Sequence, residues 1–296
     1  MFGFFVRGSV EAIQKNVVDK CLNACTDALK FRALSDLILI TFTDAHKCVS
    51  MLPPDSQMGW TSETSCVMWT PVVSVKTELG VQVAQKVYFF VPYIIVDNPW
   101  SLAAGREVYG FPKAFGSIQM PAPEADPASF TAETLVLPHF GANEQAVKET
   151  VLTVRRIQEG SGTLAEWRDV DDALKALASL WTGGKPLIVP GLGLGVELMD
   201  ILGKQALPSV FLKQFRDAAD GTRAAFQALV EVDSTVTAFR SGRIEPGSFE
   251  LVATNFDSHP IASDLGFSAD PVPVEFAFSV DIDFSTGPGT ELWRAT

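Results

Sequence analysis

The sequence is short of positive charge: 23 lysines and arginines stand against 35 aspartates and glutamates, for a net charge of −12. So acidic a chain has no electrostatic footprint for nucleic acid or for an anionic membrane surface, and any anionic ligand must be held by local cations. No uninterrupted run of about 18 apolar residues occurs, which excludes a spanning helix on sequence grounds. The four cysteines, Cys21, Cys25, Cys48 and Cys66, form neither a disulfide framework nor a paired CxxC zinc site, which suits a reducing, cytoplasmic setting. Met1 to Gly8 is apolar but has no basic n-region, full h-region or small-residue cleavage site, so it is not read as a signal peptide. The serine-hydrolase elbow GxSxG is missing as well, and His139 and His259 stand alone beside Pro138 and Pro260.

Two partial motifs have to be weighed. Between Pro186 and Pro208 the glycines at 191, 193 and 195 make GxGxG. The dinucleotide fingerprint needs its third glycine at 196, where Val196 stands, and Pro190 breaks the preceding strand, so a loop or interface helix is the better reading. Cys21 with Cys25, and His46 with Cys48, suggest a metal cluster. The first two thiols, however, lie on an apolar stripe, where cysteine usually packs as a small hydrophobe. No metal and no cofactor are expected.

A chain of 296 residues with 47% hydrophobic content can bury a sizeable core, and one β-rich domain is the default. From Ser9, a plausible N-cap, to Phe31, apolar residues recur at three- and four-residue steps and predict a helix. Leu37–Phe42 reads as a buried strand, and Asp44–Leu52 as a helical turn stopped by Pro53-Pro54. Strand-length β-rich runs follow at Cys66–Val75, Val81–Tyr93, Phe130–Leu137 and Val147–Ile157, with a proline-rich loop at Pro121–Pro127. A second amphipathic helix spans about Leu164 to Trp181, stopped by Gly183-Gly184. Alternation returns in Phe226–Thr237, Ser248–Asn255 and Val272–Phe284. The sum is a mostly antiparallel sheet.

The informative stretch runs from Ile95 to Lys113. A strand enters a turn at Asp97-Asn98-Pro99, a short helical stretch follows, and Gly110-Phe111-Pro112 break it just before Lys113. Tyr109, Phe111, Pro112, Ala114 and Phe115 give the lysine apolar company. An amine attacks a ketone only when neutral, and a free lysine, with a pKa of about 10.4, is neutral less than about one part in a thousand of the time at pH 7. Desolvation or a neighbouring cation has to lower it. A shift of three or four units costs roughly 4 to 5 kcal/mol, which a surface lysine would not impose.

Asp97-Asn98, Gly105-Arg106-Glu107 and Phe111-Pro112-Lys113, at this spacing, closely resemble the hallmark of the acetoacetate decarboxylase family, which ends at the Schiff-base lysine. Weaker similarity extends through Phe42-Thr-Asp44, Leu229–Thr237 and Phe276–Phe284. The resemblance implies an α+β fold: a single domain with a large curved, mostly antiparallel β-sheet (a cone or open barrel) and peripheral helices. It places an N-terminal helical extension at 1–34 ahead of a family domain at 35–296. It also implies a homo-oligomer, with the first helix and segment 186–208 as candidate contacts.

For the site, the resemblance makes Lys113 the Schiff-base nucleophile and Glu78, in Lys76–Gly80, the counterpart of a catalytic acid. Arg106, Tyr109 and Phe111 are expected to bind substrate, and Glu107, Gly110 and Pro112 to support the local fold. Two departures stand out. The family's second lysine is replaced by Ala114, leaving desolvation to activate Lys113, with help from Arg106. No carboxylate occurs around Met68–Pro71, where the family has a second acid, and Arg32 is out of register for the carboxylate-gripping arginine. The expected partner is a small keto acid, and the expected reaction decarboxylation of an acetoacetate-like β-keto acid. Aldol, dehydration or cyclisation chemistry on a pyruvate-like or larger keto acid, and a non-catalytic small-molecule binder, stay open.

Overall fold

The computed structural model describes every residue except 79–80, 123–127, 161–164, 183–186, 190–193, 197–205 and 296, and in a few flanking strand and helix residues it describes the backbone alone. The strands are β1 (Phe2–Arg7), β2 (Lys30–Ala33), β3 (Leu37–Cys48), β4 (Thr61–Glu78), β5 (Val81–Val96), β6 (Lys113–Gln119), β7 (Ser129–Val136), β8 (Val147–Gln158) and β9 (Glu166–Trp167). They continue with β10 (Leu187–Val189), β11 (Leu194–Val196), β12 (Ala206–Arg216), β13 (Ala224–Ile244), β14 (Ser248–Ala253), β15 (Asn255–Phe256), β16 (His259–Pro260), β17 (Val272–Thr286) and β18 (Thr290–Arg294). Helix α1 runs from Val10–Ala12 through wide π turns over Ile13–Val18 to Asp19–Cys21. Helix α2 (Pro99–Ala104) continues as π turns over Gly105–Tyr109, and α3 (Val170–Thr182) and α4 (Ile261–Leu265) follow.

One sheet of 14 strands dominates, in the order β18-β13-β12-β5-β6-β7-β8-β14-β17-β1-β3-β4-β2 with β9 on β13. Extra pairings, β4 with β5 and β13 with β17, make it branch and curve back on itself instead of forming a simple closed barrel. Pairing is antiparallel except β5 with β6 and β5 with β12. The large, mostly antiparallel sheet with few helices agrees with the expectation, and the two parallel pairings make it mixed. Within the curve lies the main core, where Phe4 packs against Phe42, Phe130 and Phe249, and Phe42 against Phe130, with ring centroids 4.9 to 6.2 Å apart. A smaller cluster, including Val67, Ile94, Val96, Phe211 and Val230, lies under α2.

Several expectations are corrected by tertiary pairing. Residues 1–34 are no appendage: β1 is zipped between β3 and β17, and Phe4 is fully buried in the main core. The helix begins at Ser9, whose hydroxyl accepts from the Ala12 N–H, but it ends at Cys21, and Lys30–Ala33 pairs with β4. The Asn23 side chain makes that switch, holding the Phe31 N–H at 2.7 Å and the Phe31 carbonyl at 2.9 Å. Ile13, Val17 and Val18 are buried in the core, so this stripe does not serve as an open subunit contact. Asp44–Cys48 is strand rather than helical turn, because β4 offers a ladder to it, with Asp44 opposite Thr64, Ala45 opposite Glu63 and Cys48 opposite Thr61. In the glycine-rich stretch, β10 and β11 form a two-stranded ribbon. Residues 190–193, the Gly183-Gly184 stop and most of the 121–127 loop lie outside the described residues.

No helix among the described residues is long and apolar enough to cross a membrane. If β1 is integral to the fold, Phe4→Ala should cost about 3–5 kcal/mol in urea unfolding, the range for a buried Phe. A detachable N-terminus would show almost none of that loss.

Candidate active site

The lysine is placed by a crossover. β5 ends at Val96, α2 returns along the sheet, and β6 starts parallel to β5 with Lys113 opposite Ile94 and Ala114 opposite Ile95. Alternation then assigns faces. Ile94 packs in the cluster under α2, whereas Ile95 and Ala114 pack against the main core. Position 114 therefore points away from the Lys113 side chain, and a cation there would sit on the other face of the sheet. Lys113 is buried, with 8% exposure.

The turn that precedes it organises two walls at once. Asn98 caps α2, its Oδ1 accepting from the N–H groups of Trp100 (2.9 Å) and Ser101 (3.0 Å), and Pro99 sits in the first turn, where its missing N–H costs nothing. The Asn98 Nδ2 donates to the Thr61 hydroxyl at 2.6 Å and the Ser62 carbonyl at 2.7 Å. Asp97 accepts from the Thr64 N–H at 2.7 Å and from its hydroxyl at 2.5 Å. The start of α2 is thus stapled to the start of β4. Those two segments supply the partners of the lysine: its Nζ donates to Glu63 Oε2 at 3.0 Å and to Ser101 Oγ at 2.5 Å.

The remaining sides are close-packed. A Cβ on Gly105 would come within 2.9 Å of the lysine Cε, so that glycine makes room for the side chain. Phe111 lies with its ring centroid 5.9 Å from Nζ and packs against Phe211 at 4.0 Å, the rings tilted by 40°. Gly110, at φ +86°, ends the π turns, where a Cβ would meet the Lys213 backbone at 2.6 Å. The π-helical register at 105–109 is what brings the Gly110 N–H to the Gly105 carbonyl and swings the chain into β6.

The other anticipated residues are placed as follows. Arg106 is exposed and its guanidinium donates to the Lys113 carbonyl at 3.1 Å, clipping the main chain rather than facing the amine. The Tyr109 hydroxyl donates to the Gly287 carbonyl at 3.1 Å while its ring meets Phe111 edge-on. Glu107 and Pro112 are exposed. The side chain of Glu78 lies outside the described residues; its backbone pairs with Val81 at the far end of the β4–β5 hairpin, away from the lysine. Arg32 donates to Gln82 at 3.1 Å, near that same end.

Glu63 and Ser101 escaped the sequence reading. Glu63 is 50 positions from Lys113, and the predicted strand began at Cys66. Extending the period-two pattern back from Val67 through Ser65 would have put Glu63 on the lysine's face. Ser101 carries no signal beyond lying three residues after the capping asparagine.

Cys48, opposite Thr61, reports on the site's charge. Burial raises its thiol pKa, Glu63 and Asp97 add to the rise, and Lys113 opposes it. Removing the nearest negative charge should therefore make the thiolate form more readily: in Glu63→Gln the pH profile of Cys48 alkylation is expected to move to lower pH. An unmoved profile would show that the Glu63 carboxylate does not sit where this geometry puts it.

With this geometry in view, the acetoacetate decarboxylase family profile matches residues 54–165, which hold Glu63, Asn98, Ser101 and Lys113. A search of curated proteins finds none that matches. Among solved structures, an acetoacetate decarboxylase from Legionella pneumophila is similar at TM-score 0.58 and 13% identity, over 99% of this chain and 84% of that one. The enduracididine biosynthesis enzyme MppR, complexed with pyruvate, is similar at TM-score 0.55 and 13% identity, over 99% and 87%. An acetoacetate decarboxylase-like enzyme from Sphingomonas wittichii RW1 gives 0.52 and 14%, over 99% and 89%. At these identities the structures establish a shared fold.

Proposed function

We propose, for a chain that belongs to the acetoacetate decarboxylase-like family, that Lys113 is a Schiff-base nucleophile and that the protein is a lyase decarboxylating an acetoacetate-like β-keto acid. One observation carries the reading: the lysine amine is buried and held between Glu63 and Ser101, with nothing larger than a glycine at 105 crowding its stem.

In this reading the Glu63 carboxylate, 3.0 Å from Nζ, takes the ammonium proton and leaves a lone pair to add to the ketone carbon. The carbinolamine loses water to give an iminium. The bond to the carboxyl carbon then breaks, carbon dioxide leaves, and its electron pair passes into the iminium to form an enamine. Glu63 would then pass a proton taken up from water to the enamine carbon, and water hydrolyses the iminium so formed, releasing the ketone and restoring the amine. Arg106, with one donor on the Lys113 carbonyl and four more N–H groups, is the candidate for the substrate carboxylate; Tyr109 and Phe111 wall the site. Glu78, with its backbone at the far end of the β4–β5 hairpin, takes no part in these steps. The same proposal has the protein act in the cytoplasm as a homo-oligomer without a cofactor.

A second reading has support of its own. MppR, which shares this fold, is complexed with pyruvate, and a pyruvate iminium feeds aldol addition or dehydration instead of loss of carbon dioxide. A non-catalytic binder on the same fold would hold ligands without any covalent step.

Borohydride treatment in the presence of acetoacetate or pyruvate should fix an adduct on Lys113, located by peptide mass mapping, and Lys113→Arg should abolish it. Carbon dioxide release from β-keto acids then favours decarboxylation, and trapping without release favours the aldol or dehydration reading. Ligand binding with no adduct on any keto acid would sink the Schiff-base assignment. Glu63→Gln is expected to slow trapping by about 10²-fold or more, the scale of a lost general base.

A further inference from the structure

We infer that Ser101 is a catalytic residue of the Schiff-base step: its hydroxyl relays a proton from the Lys113 nitrogen to the carbonyl oxygen of the keto acid as the carbinolamine forms. The inference rests on the Schiff-base reading of Lys113 and adds a second proton carrier to Glu63.

Helix α2 presents Ser101 and Gly105, four residues apart, on one face. The hydroxyl lies 2.5 Å from Nζ, and a Cβ on the glycine would lie 2.9 Å from Cε, so this face follows the lysine from stem to tip. Asn98 fixes the serine, accepting from its N–H at 3.0 Å while donating to Thr61 and Ser62 of β4. Glu63 approaches the same nitrogen from β4 at 3.0 Å.

In its contact with Nζ the serine hydroxyl is an acceptor only, because an ammonium donates and has no lone pair to receive. Its own proton has no acceptor among the described residues. Other buried hydroxyls spend theirs on the main chain: Thr70 donates to the Phe90 carbonyl at 3.1 Å and Thr134 to the Phe115 carbonyl at 2.8 Å. A hydroxyl that accepts from the reacting nitrogen and keeps a free donor beside it has what a relay needs.

Once Glu63 has taken an ammonium proton, the Nζ lone pair bonds to the carbonyl carbon and the π pair moves to oxygen. A positive nitrogen and an alkoxide then stand two bonds apart. Ser101 receives a proton from that nitrogen and delivers its own to the alkoxide, so the serine ends unchanged and the carbinolamine is neutral. Glu63 gives its proton to the new hydroxyl, the C–O bond breaks, water leaves, and the nitrogen lone pair completes the iminium. The rival role, an acceptor that only steadies the ammonium, makes the opposite prediction. Losing such an acceptor frees the amine sooner, since a hydrogen bond to the charged form favours that form.

The test follows adduct formation on Lys113 at saturating acetoacetate, and separately at saturating pyruvate, by borohydride quenching at timed intervals. Acetylation of Lys113 by acetic anhydride is followed in parallel; it needs a free amine but expels acetate, which leaves without a proton, so it reports the amine without the relay. In Ser101→Ala the keto acid adduct should form about 10²-fold more slowly. Lys113 should be acetylated at least as fast as in the unaltered protein, which also shows that the variant is folded. Trapping as fast as before, or faster, assigns Ser101 to steadying the ammonium and overturns the relay while the Schiff base stands. Trapping and acetylation that slow together assign it to holding the side chain and overturn the relay too. Absence of any adduct in the unaltered protein defeats the Schiff-base reading and the relay with it.

Discussion

A lysine amine taken out of water has to be met by fixed partners, because an unpaired buried charge costs several kcal/mol. Here Glu63 and Ser101 meet it, one from the start of β4 and the other from the first turn of α2. Neither side chain could hold that position alone. Asn98 joins the two segments through four hydrogen bonds, and Asp97 fixes the strand again one residue further on. The site exists because one turn serves as helix cap and strand staple together.

The sheet explains why that turn can do so. β5 is long enough to pair with β4 along one side and with β6 and β12 on the other, so the segment leaving its end is anchored to its neighbours. The crossover from β5 to β6 lays α2 on the face that carries the lysine, and the π turns at 105–109 adjust the phase so that Gly105 faces the lysine stem. The same alternation sends Ala114 to the opposite face. A second lysine at that position would therefore not face the Lys113 amine, whose neighbours are Glu63 and Ser101.

The comparison between sequence and structure divides along contact range. The turn at Asp97-Asn98 and the break from Gly110 to Pro112 before Lys113 were legible because they are local, whereas the Asn98 cap and the room that Gly105 leaves for the lysine stem appear only in the structure. The edges of several strands and the end of the first helix were misjudged because pairing partners decided them. Asp44–Cys48 has no strong strand preference of its own and is extended because β4 runs beside it, while β1 is fixed by two neighbours, one 30 to 40 positions away and the other more than 260.

The sequence by itself determined that a lysine with apolar neighbours follows a turn and a short glycine-broken helix, since those features depend on backbone preferences a few residues long. Only the tertiary structure decided that Glu63, and not an acid nearer the end of the hairpin, meets the amine, and that Arg106 grips the main chain. The physical reason is that strand register sets which side chains share a face, and register depends on every strand in the sheet at once.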